Sequence, residues 1–145
     1  MEPWAALQKI AVTLTESLRA SDRYERFLGA VREAIPCDAT ALLALHDDAL
    51  VPLAVHGLSS QVLGMRFKPA DHPRLAAVVR AKRPVRFPAD SSLPDPFDGL
   101  VRHAPDALSD VHDCLGCPLV ADGRVVGVLT ADALAVGALD RKSVV

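Results

Sequence analysis

The strongest constraint on the fold lies near the end of the chain, where Asp122-Gly123 separates two apolar runs. The first run spans 114–121 and the second spans 124–132. An Asp-Gly pair between apolar runs is among the strongest short-range signals for a β-hairpin, because both residues tolerate the positive φ angles of a two-residue turn. The sequence therefore predicts two antiparallel strands here.

A second hairpin is predicted earlier in the chain. The apolar runs 39–45 and 50–55 flank the Asp-rich turn at His46-Asp47-Asp48. A helical turn is expected over 59–64, and 84–87 reads as a short strand whose first residue, a proline, is tolerated at that position. The segment 88–110 is rich in proline and aspartate, which favours a long ordered loop. A loop of this length in a compact domain usually has a function or is disordered.

Apolar residues at helical spacing predict three helices, over 5–20, 23–35 and 73–82. We interpret Ser21 and Asp22 as a break and an N-cap before the second helix, and Pro73 suits the first turn of the third. Residues expected in the core are Trp4, Leu7, Ile10, Tyr24, Phe27, Leu28, Val31, Leu75 and Val78.

Helices placed before and between hairpin-connected strands predict an α+β fold with an antiparallel β-sheet flanked by helices. At 145 residues, 50% of them hydrophobic, the chain suits one globular domain over 1–145. The net charge is −2 with no run of Lys or Arg, so we expect no direct contact with nucleic acid. The sequence lacks an uninterrupted apolar span and a signal pattern, and its three cysteines form no disulfide framework. We therefore expect a cytoplasmic domain without a membrane segment.

Five potential ligands fall within forty positions: Asp95, Asp98, His112, Cys114 and Asp132. Mixed oxygen, nitrogen and sulfur donors suit a borderline first-row metal such as iron. If the strand is extended, His112 and Cys114 point to one face, because side chains alternate with a period of two. Convergence of these five residues would make the chain a metal-based sensor or enzyme.

Each residue also has a simpler explanation. Aspartates beside proline or glycine form turns through hydrogen bonds to the backbone, and a buried free cysteine is common in cores. Cys114 and Cys117 form a Cys-x-x-Cys pair, but they would point to opposite faces of a strand, so a thiol redox switch needs a turn at Gly116. Arg74 and Arg80 lie about two turns apart on the third helix, where they could neutralise or gate a carboxylate-rich site.

Several motifs together resemble the N-terminal GAF domain of NorR-type regulators, bacterial activators that respond to nitric oxide. The motifs are His72-Pro-Arg-Leu75, Val85-Arg-Phe-Pro-Ala-Asp90, Leu93-Pro-Asp-Pro-Phe-Asp-Gly-Leu100, Val111-His-Asp-Cys114 and Leu129-Thr-Ala-Asp132. The similarity covers nearly the whole chain, and the Pro-Ala-Asp to Asp-Gly loop is its most specific part. Cys117 departs from the pattern, since an apolar residue is expected there.

The resemblance implies a non-enzymatic sensor domain that binds nitric oxide at a mononuclear non-haem ferrous ion, Fe(II). Its implied ligands are Asp95, Asp98, His112, Cys114 and Asp132. Arg74 would occupy or guard a coordination position, and Arg80 would take part in signalling. In such regulators the GAF domain represses an ATPase domain of the enhancer-dependent activator class, and a C-terminal helix-turn-helix binds DNA.

We expect this chain to be a fragment of such a regulator, cut before the C-terminal helix of the GAF domain, with apolar surface through which two copies could form a homodimer. Two alternatives remain at this point. One is a GAF domain that binds a small organic ligand or only mediates dimerisation, without metal. The other is a redox switch through Cys114 and Cys117.

Overall fold

Five antiparallel strands form the centre of the domain, in the order β2-β1-β5-β4-β3. The computed structural model describes residues 3–7, 10, 20–88, 90–97, 113–134 and 139. The strands are β1 (Ala39–His46), β2 (Ala49–His56), β3 (Val85–Phe87), β4 (Asp113–Ala121) and β5 (Arg124–Ala133). All five predicted strands are confirmed, with ends that differ from the prediction by at most one residue. The predicted α+β class is confirmed as well.

The predicted turn between β4 and β5 is confirmed by its backbone angles. Asp122 and Gly123 both have positive φ, at 52° and 75°. The hairpin also contains a β-bulge, because the register shifts between Leu119 and Val120. Ala121 pairs with Arg124 at the tip, yet Cys114 pairs with Asp132 further down, so the β5 strand carries one extra residue between these pairs.

Two α-helices and two short 3₁₀ helices accompany the sheet in the described part of the chain. They are α1 (Ala20–Ala34), the 3₁₀ helices Ser60–Gly64 and Pro69–Asp71, and α2 (Pro73–Ala81). The predicted break at Ser21 and Asp22 is wrong, since both residues lie inside α1. An aspartate in the first turn favours the helix through the helix dipole, so Asp22 is compatible with this position. None of the described helices is long and apolar enough to cross a membrane.

The N-terminal residues 3–7 and 10 are helical, as expected, but their inward face differs from the prediction. Ala6 is buried and Ile10 packs against the core, whereas Trp4 and Leu7 are 73% and 55% exposed. Positions 6 and 10 lie on one side of a helix and positions 4 and 7 on another. Placing Trp4 and Leu7 in the core was therefore wrong. The remainder of the predicted helix 5–20, apart from its last residue, lies outside the described residues.

Each face of the sheet carries its own core. The face that we call the α1 face packs against α1 through Phe27, Leu28 and Val31. The opposite face, the α2 face, is covered by α2 and by the segments that flank it. Its buried cluster consists of Ala39, Ala41, Leu43, Leu50, Leu58, Val62, Phe67, Leu75, Val78, Phe87, Phe97, Cys114 and Val128. Cys114 is thus a core residue of the α2 face.

The distance between α2 and the sheet depends on a glycine. A Cβ atom on Gly116 of β4 would collide with Cγ2 of Val78, a buried residue of α2. Valine is stiff at χ1, so it has little freedom to move aside. Gly116 therefore lets α2 lie close against β4, which sets the height of the helix above the α2 face.

We predict that Gly116→Ala lowers the free energy of unfolding by about 1–3 kcal/mol, because the added methyl group overpacks the contact with Val78. Gly29→Ala in α1 is the matched control, since nothing lies within 4 Å of a Cβ at that position. Alanine is the better helix former, so the control should be neutral or stabilising by up to about 1 kcal/mol. Urea denaturation measures both, and equal effects of the two substitutions would contradict this account of Gly116.

Candidate metal centre

Three of the five predicted ligands converge on the α2 face of the sheet. One ligand atom each from Asp95, Cys114 and Asp132 lies within 4.8 Å of the others, and all three residues are buried. Cys114 and Asp132 are register partners in β4 and β5. Directly opposite residues in an antiparallel pair share a face, with their Cβ atoms about 5 Å apart. The strand pairing therefore supplies two ligands, and the segment after β3 supplies the third.

Asp95 is fixed by its own loop. The Phe97 N–H donates a hydrogen bond of 2.7 Å to Asp95 Oδ1. An aspartate that accepts from the backbone two residues on forms a local turn. The Phe97 ring is fully buried and makes an edge-to-face contact with Phe67, with ring centroids 5.3 Å apart. The backbone hydrogen bond and the aromatic pair thus hold the turn that carries Asp95 in place.

Arg74 lies beside the cluster in the first turn of α2 and is only 5% exposed. Its Nε donates a 2.7 Å hydrogen bond to the Leu93 carbonyl, and its Nη1 lies 3.6 Å from Asp95 Oδ2. The guanidinium also lies 5.2 Å from the centroid of the Phe87 ring. A positive charge in the first helical turn opposes the helix dipole, so these contacts, rather than the helix, hold Arg74 in place.

Asp132 is the most exceptional member of the cluster. It is 1% exposed, and the hydrogen-bonding neighbours of its carboxylate in the part of the chain that the structure describes are the Cys114 thiol and the Asp95 carboxylate, the two other candidate ligands. Burying a carboxylate without hydrogen bonds is costly unless the charge is paired or coordinates a metal. A buried carboxylate whose nearest polar neighbours are a thiol and a second carboxylate therefore fits a bound cation.

The protonation of the cluster follows from the same burial. Burial raises the pKa of Asp132 well above its usual range, and the nearby Asp95 carboxylate raises it further, while Arg74 lowers it in part. Burial also raises the pKa of the Cys114 thiol, followed by the charges of Asp132 and Asp95. The metal-free site thus favours bound protons. Because metal ligands must be deprotonated, a cation at this position would exchange for those protons.

The other predicted site residues have separate outcomes. Asp98 and His112 lie outside the described residues, so their assignment stays a prediction. Arg80 is exposed near the end of α2, about two helical turns from Arg74. It therefore lies apart from the buried cluster.

Cys117 points to the α1 face, where it packs against the clusters that contain Leu115 and Leu129. Residues three apart on a strand have Cα atoms about 10 Å apart, beyond the roughly 7 Å that a disulfide can span. The geometry therefore does not support a Cys114–Cys117 disulfide. Burial also raises the pKa of Cys117, and it raises the pKa of the third thiol, Cys37, to about 11.

One polar residue near the cluster was absent from the prediction. Thr130 precedes Asp132 by two positions on β5 and is buried. The sequence signal for Thr130 was its spacing of two from Asp132, because residues two apart on a strand share a face.

The family model for the GAF domain matches residues 7–141, nearly the whole chain. This chain belongs to the GAF domain family. Solved GAF domains agree with the architecture described above. The GAF domain of a phosphoenolpyruvate-protein phosphotransferase from Acinetobacter superposes with a TM-score of 0.73 at 16% identity, over 99% of this chain and 85% of that chain. A likeness at this identity concerns the fold alone.

Among curated proteins, this GAF domain is similar to parts of larger transcription regulators. It is 47% identical over 125 residues to the anaerobic nitric oxide reductase transcription regulator NorR of Aliivibrio fischeri, which is 86% of this chain and 24% of that protein. It is 44% identical over 139 residues to the regulatory protein LuxO of Vibrio cholerae, which is 96% of this chain and 26% of that protein. The chain thus spans about a quarter of the length of these relatives.

We predict that Asp132→Asn stabilises the metal-free GAF domain at neutral pH. The raised pKa of Asp132 means that the folded state holds a proton that the unfolded state releases, so stability falls as pH rises from about 4 through the folded-state pKa. Asparagine removes this dependence. Urea denaturation of chelator-treated protein should therefore show the variant more stable at pH 7.5, with the difference shrinking toward pH 4.

Asp122→Asn, at the exposed turn between β4 and β5, is the control for the loss of one negative charge. A gap between Asp132→Asn and the unaltered protein that is the same at pH 4 and pH 7.5 would contradict the burial argument.

We predict that Arg74→Met destabilises the metal-free domain by about 3 kcal/mol, because it leaves buried acidic groups without their compensating cation. Arg80→Met removes the same charge from an exposed position of the same helix and should change stability by less than about 0.5 kcal/mol. Thermal and urea denaturation measure the difference. Similar effects of the two substitutions would show that Arg74 does not balance the charge of the cluster.

Proposed function

We propose that this GAF domain binds one ferrous ion through Asp95, Cys114 and Asp132 and senses nitric oxide at that ion. The observation that carries the proposal is the convergence of three buried ligand atoms around Asp132, whose hydrogen-bonding neighbours among the described residues are the other two candidate ligands. The resemblance adds Asp98 and His112 to the ligand set. A set of carboxylates, an imidazole and one thiolate suits iron better than it suits magnesium or calcium, which prefer oxygen alone.

The bound ferrous ion would supply an electron-rich position at which nitric oxide is held. The protein's own part is to keep that position dry and to balance its charge. Phe67, Phe97 and Leu75 are fully buried in the same apolar cluster as Cys114, and such a cluster limits the access of water. Water exclusion strengthens the electrostatic interactions among the buried groups.

Arg74 is the residue best placed to report ligand binding. Its Nε is anchored on the Leu93 carbonyl, while its Nη1 faces Asp95 and makes no hydrogen bond to any described residue. One end of the guanidinium is therefore held and the other is free to change partner. We infer that ligand binding moves the Nη1 end of Arg74 away from Asp95, which shifts the first turn of α2 and, through the helix, Arg80.

The similarity to regulators supports this role. A relative whose name describes it as an anaerobic nitric oxide reductase transcription regulator shares 47% of its residues with this chain over 125 positions. We propose that the domain acts in the cytoplasm as a regulatory module without enzymatic activity of its own, and that it represses an attached ATPase domain of the enhancer-dependent activator class until nitric oxide binds.

The rival function is binding of a small organic ligand on the same face of the sheet. Such a ligand needs a cavity lined mainly by apolar groups. On the α2 face the corresponding space contains packed side chains, among them Phe67 and Phe97, which are 1% and 0% exposed. Among the described residues, the buried polar groups there are two acids, an arginine, a thiol and the Thr130 hydroxyl, and this charged set fits an ion better than an apolar ligand.

We predict that the protein, loaded under anaerobic conditions, binds one ferrous ion per chain and gives an electron paramagnetic resonance signal with nitric oxide that is typical of high-spin non-haem iron. Cys114→Ala and Asp132→Asn should each weaken iron binding by about tenfold or more, since each removes a ligand. Equilibrium dialysis gives the affinity, and the resonance spectrum gives the nitric oxide response.

Cys117→Ala is the matched control, because it removes a thiol three residues away on the opposite face. It should bind iron as the unaltered protein does. A full signal in Cys114→Ala would overturn the ligand assignment, and the absence of iron uptake by the unaltered protein would favour the organic-ligand alternative. His112→Ala and Asp98→Asn test the two ligands that the resemblance alone supplies.

A further inference from the structure

Thr130 shares the α2 face with the candidate metal centre. Its register partners are Ala41 on β1 and Gly116 on β4. Ala41 belongs to the buried cluster of the α2 face, and a Cβ on Gly116 would meet Val78 of that cluster. Because directly opposite residues share a face, the Thr130 side chain points to the same side as Cys114 and Asp132.

The hydroxyl of Thr130 has no partner in the described part of the protein. The residue is 3% exposed, and its Oγ1 makes no hydrogen bond with any described group. The backbone carbonyl of Thr130, by contrast, has a partner, since it accepts a 2.7 Å hydrogen bond from Thr40 Oγ1. A buried hydroxyl without a partner is unfavourable, and valine has the same shape without that penalty. Packing alone therefore does not explain a threonine here.

The row of side chains that contains Thr130 adjoins the row that contains the ligands. Cys114 and Asp132 form one cross-strand pair, and Gly116 and Thr130 form the next pair on the same face. Successive pairs on one face are about 7 Å apart. Thr130 and Asp132 are also consecutive residues on this face of β5, so no other side chain of that strand lies between them. The hydroxyl therefore lies within reach of a molecule of two or three atoms held beside Asp132.

We propose that Thr130 is a specificity-determining residue whose hydroxyl donates a hydrogen bond to a small ligand held at the metal centre. This inference rests on the proposed function, and nitric oxide is the ligand that it concerns. Binding at an electron-rich ion gives such a ligand partial negative charge, which a hydroxyl donor stabilises in a dry site. The same donor gives no such gain to a neutral ligand without acceptor capacity.

The test compares Thr130→Val with Thr40→Val. Both substitutions replace a buried threonine hydroxyl with a methyl group in adjacent strands. Thr40 lies on β1, where its neighbours Ala39 and Ala41 point to the α2 face, so its side chain points to the α1 face. Its hydroxyl has a partner, the Thr130 carbonyl. The two variants therefore separate a hydroxyl that bonds to the backbone from one that has no partner among the described residues.

We expect opposite results in two measurements. In the metal-free protein, Thr130→Val should leave the melting temperature unchanged or raise it, whereas Thr40→Val should lower it. In iron-loaded protein with equal metal affinity, Thr130→Val should weaken nitric oxide binding by about five- to tenfold, the effect of one lost hydrogen bond, and Thr40→Val should leave it unchanged. Calorimetry gives the melting temperatures, and stopped-flow displacement gives the nitric oxide affinities.

Each other outcome has a definite meaning. A lowered melting temperature in metal-free Thr130→Val would show that the hydroxyl serves the fold, and it would overturn the inference. Weakened iron binding with unchanged nitric oxide affinity would assign the hydroxyl to the support of Asp132 instead. If the unaltered protein takes up iron and both variants bind nitric oxide equally well, the proposed function stands and the role of Thr130 does not. If the unaltered protein takes up no iron, the proposed function falls and this inference falls with it.

Discussion

The pairing of β4 with β5 is the interaction on which the candidate site depends. It places Cys114, near the start of β4, directly opposite Asp132, near the end of β5. A slip of one residue would move Asp132 to the α1 face, because side chains alternate along a strand. The turn at Asp122-Gly123 alone would not give this register, since regular pairing from Ala121↔Arg124 leads to Cys114↔Ala131. The β-bulge near the tip shifts β5 by one residue and so brings Asp132 to the thiol.

The charge of the site is the second constraint. Two carboxylates and a thiol are buried together with one arginine, so the groups cannot all ionise without a further cation. In the metal-free state, burial raises the pKa of Asp132 and of Cys114, and the neighbouring negative charges raise both further. The site can hold protons or a metal ion, and Arg74 contributes positive charge in either case. Burying such a cluster lowers the stability of the metal-free fold, and its presence therefore indicates a function.

Much of the fold followed from local sequence patterns. The strands, the two hairpins and α2 were predictable because their signals are short-range: alternation, Asp-Gly at a turn, and Pro73 in a first helical turn. The face of Cys117 followed from periodicity in the same way. The bulge did not, since no residue type in β5 requires it. Trp4 was misplaced because apolar character does not determine which side of a helix meets the core.

Fewer of the site residues than of the secondary-structure elements could be predicted from local sequence patterns. Asp95, Cys114 and Asp132 come together as expected, but strand geometry could argue only for residues on the hairpin, and Asp95 depended on a loop. The resemblance carried Asp98 and His112, which lie outside the described residues and stay predictions. Thr130 escaped notice because a threonine in a strand is ordinary. The unusual property of Thr130 is that its buried hydroxyl makes no hydrogen bond to a described residue, and a sequence does not reveal this.

Alternation along β4 also explains how the strand that carries Cys114 is held in place. Asp113 immediately precedes Cys114 and so points to the opposite face, where it is fully buried. There it accepts hydrogen bonds from Arg86 of β3 at 3.2 and 3.3 Å and from the Leu139 N–H at 3.3 Å. This group of contacts fixes the first residue of β4 to the edge strand β3 and to the chain after β5. The end of β4 that carries the Cys114 thiol is therefore fixed by contacts on the opposite face of the sheet. A site fixed in this way is preorganised, since its ligands need not rearrange to bind an ion.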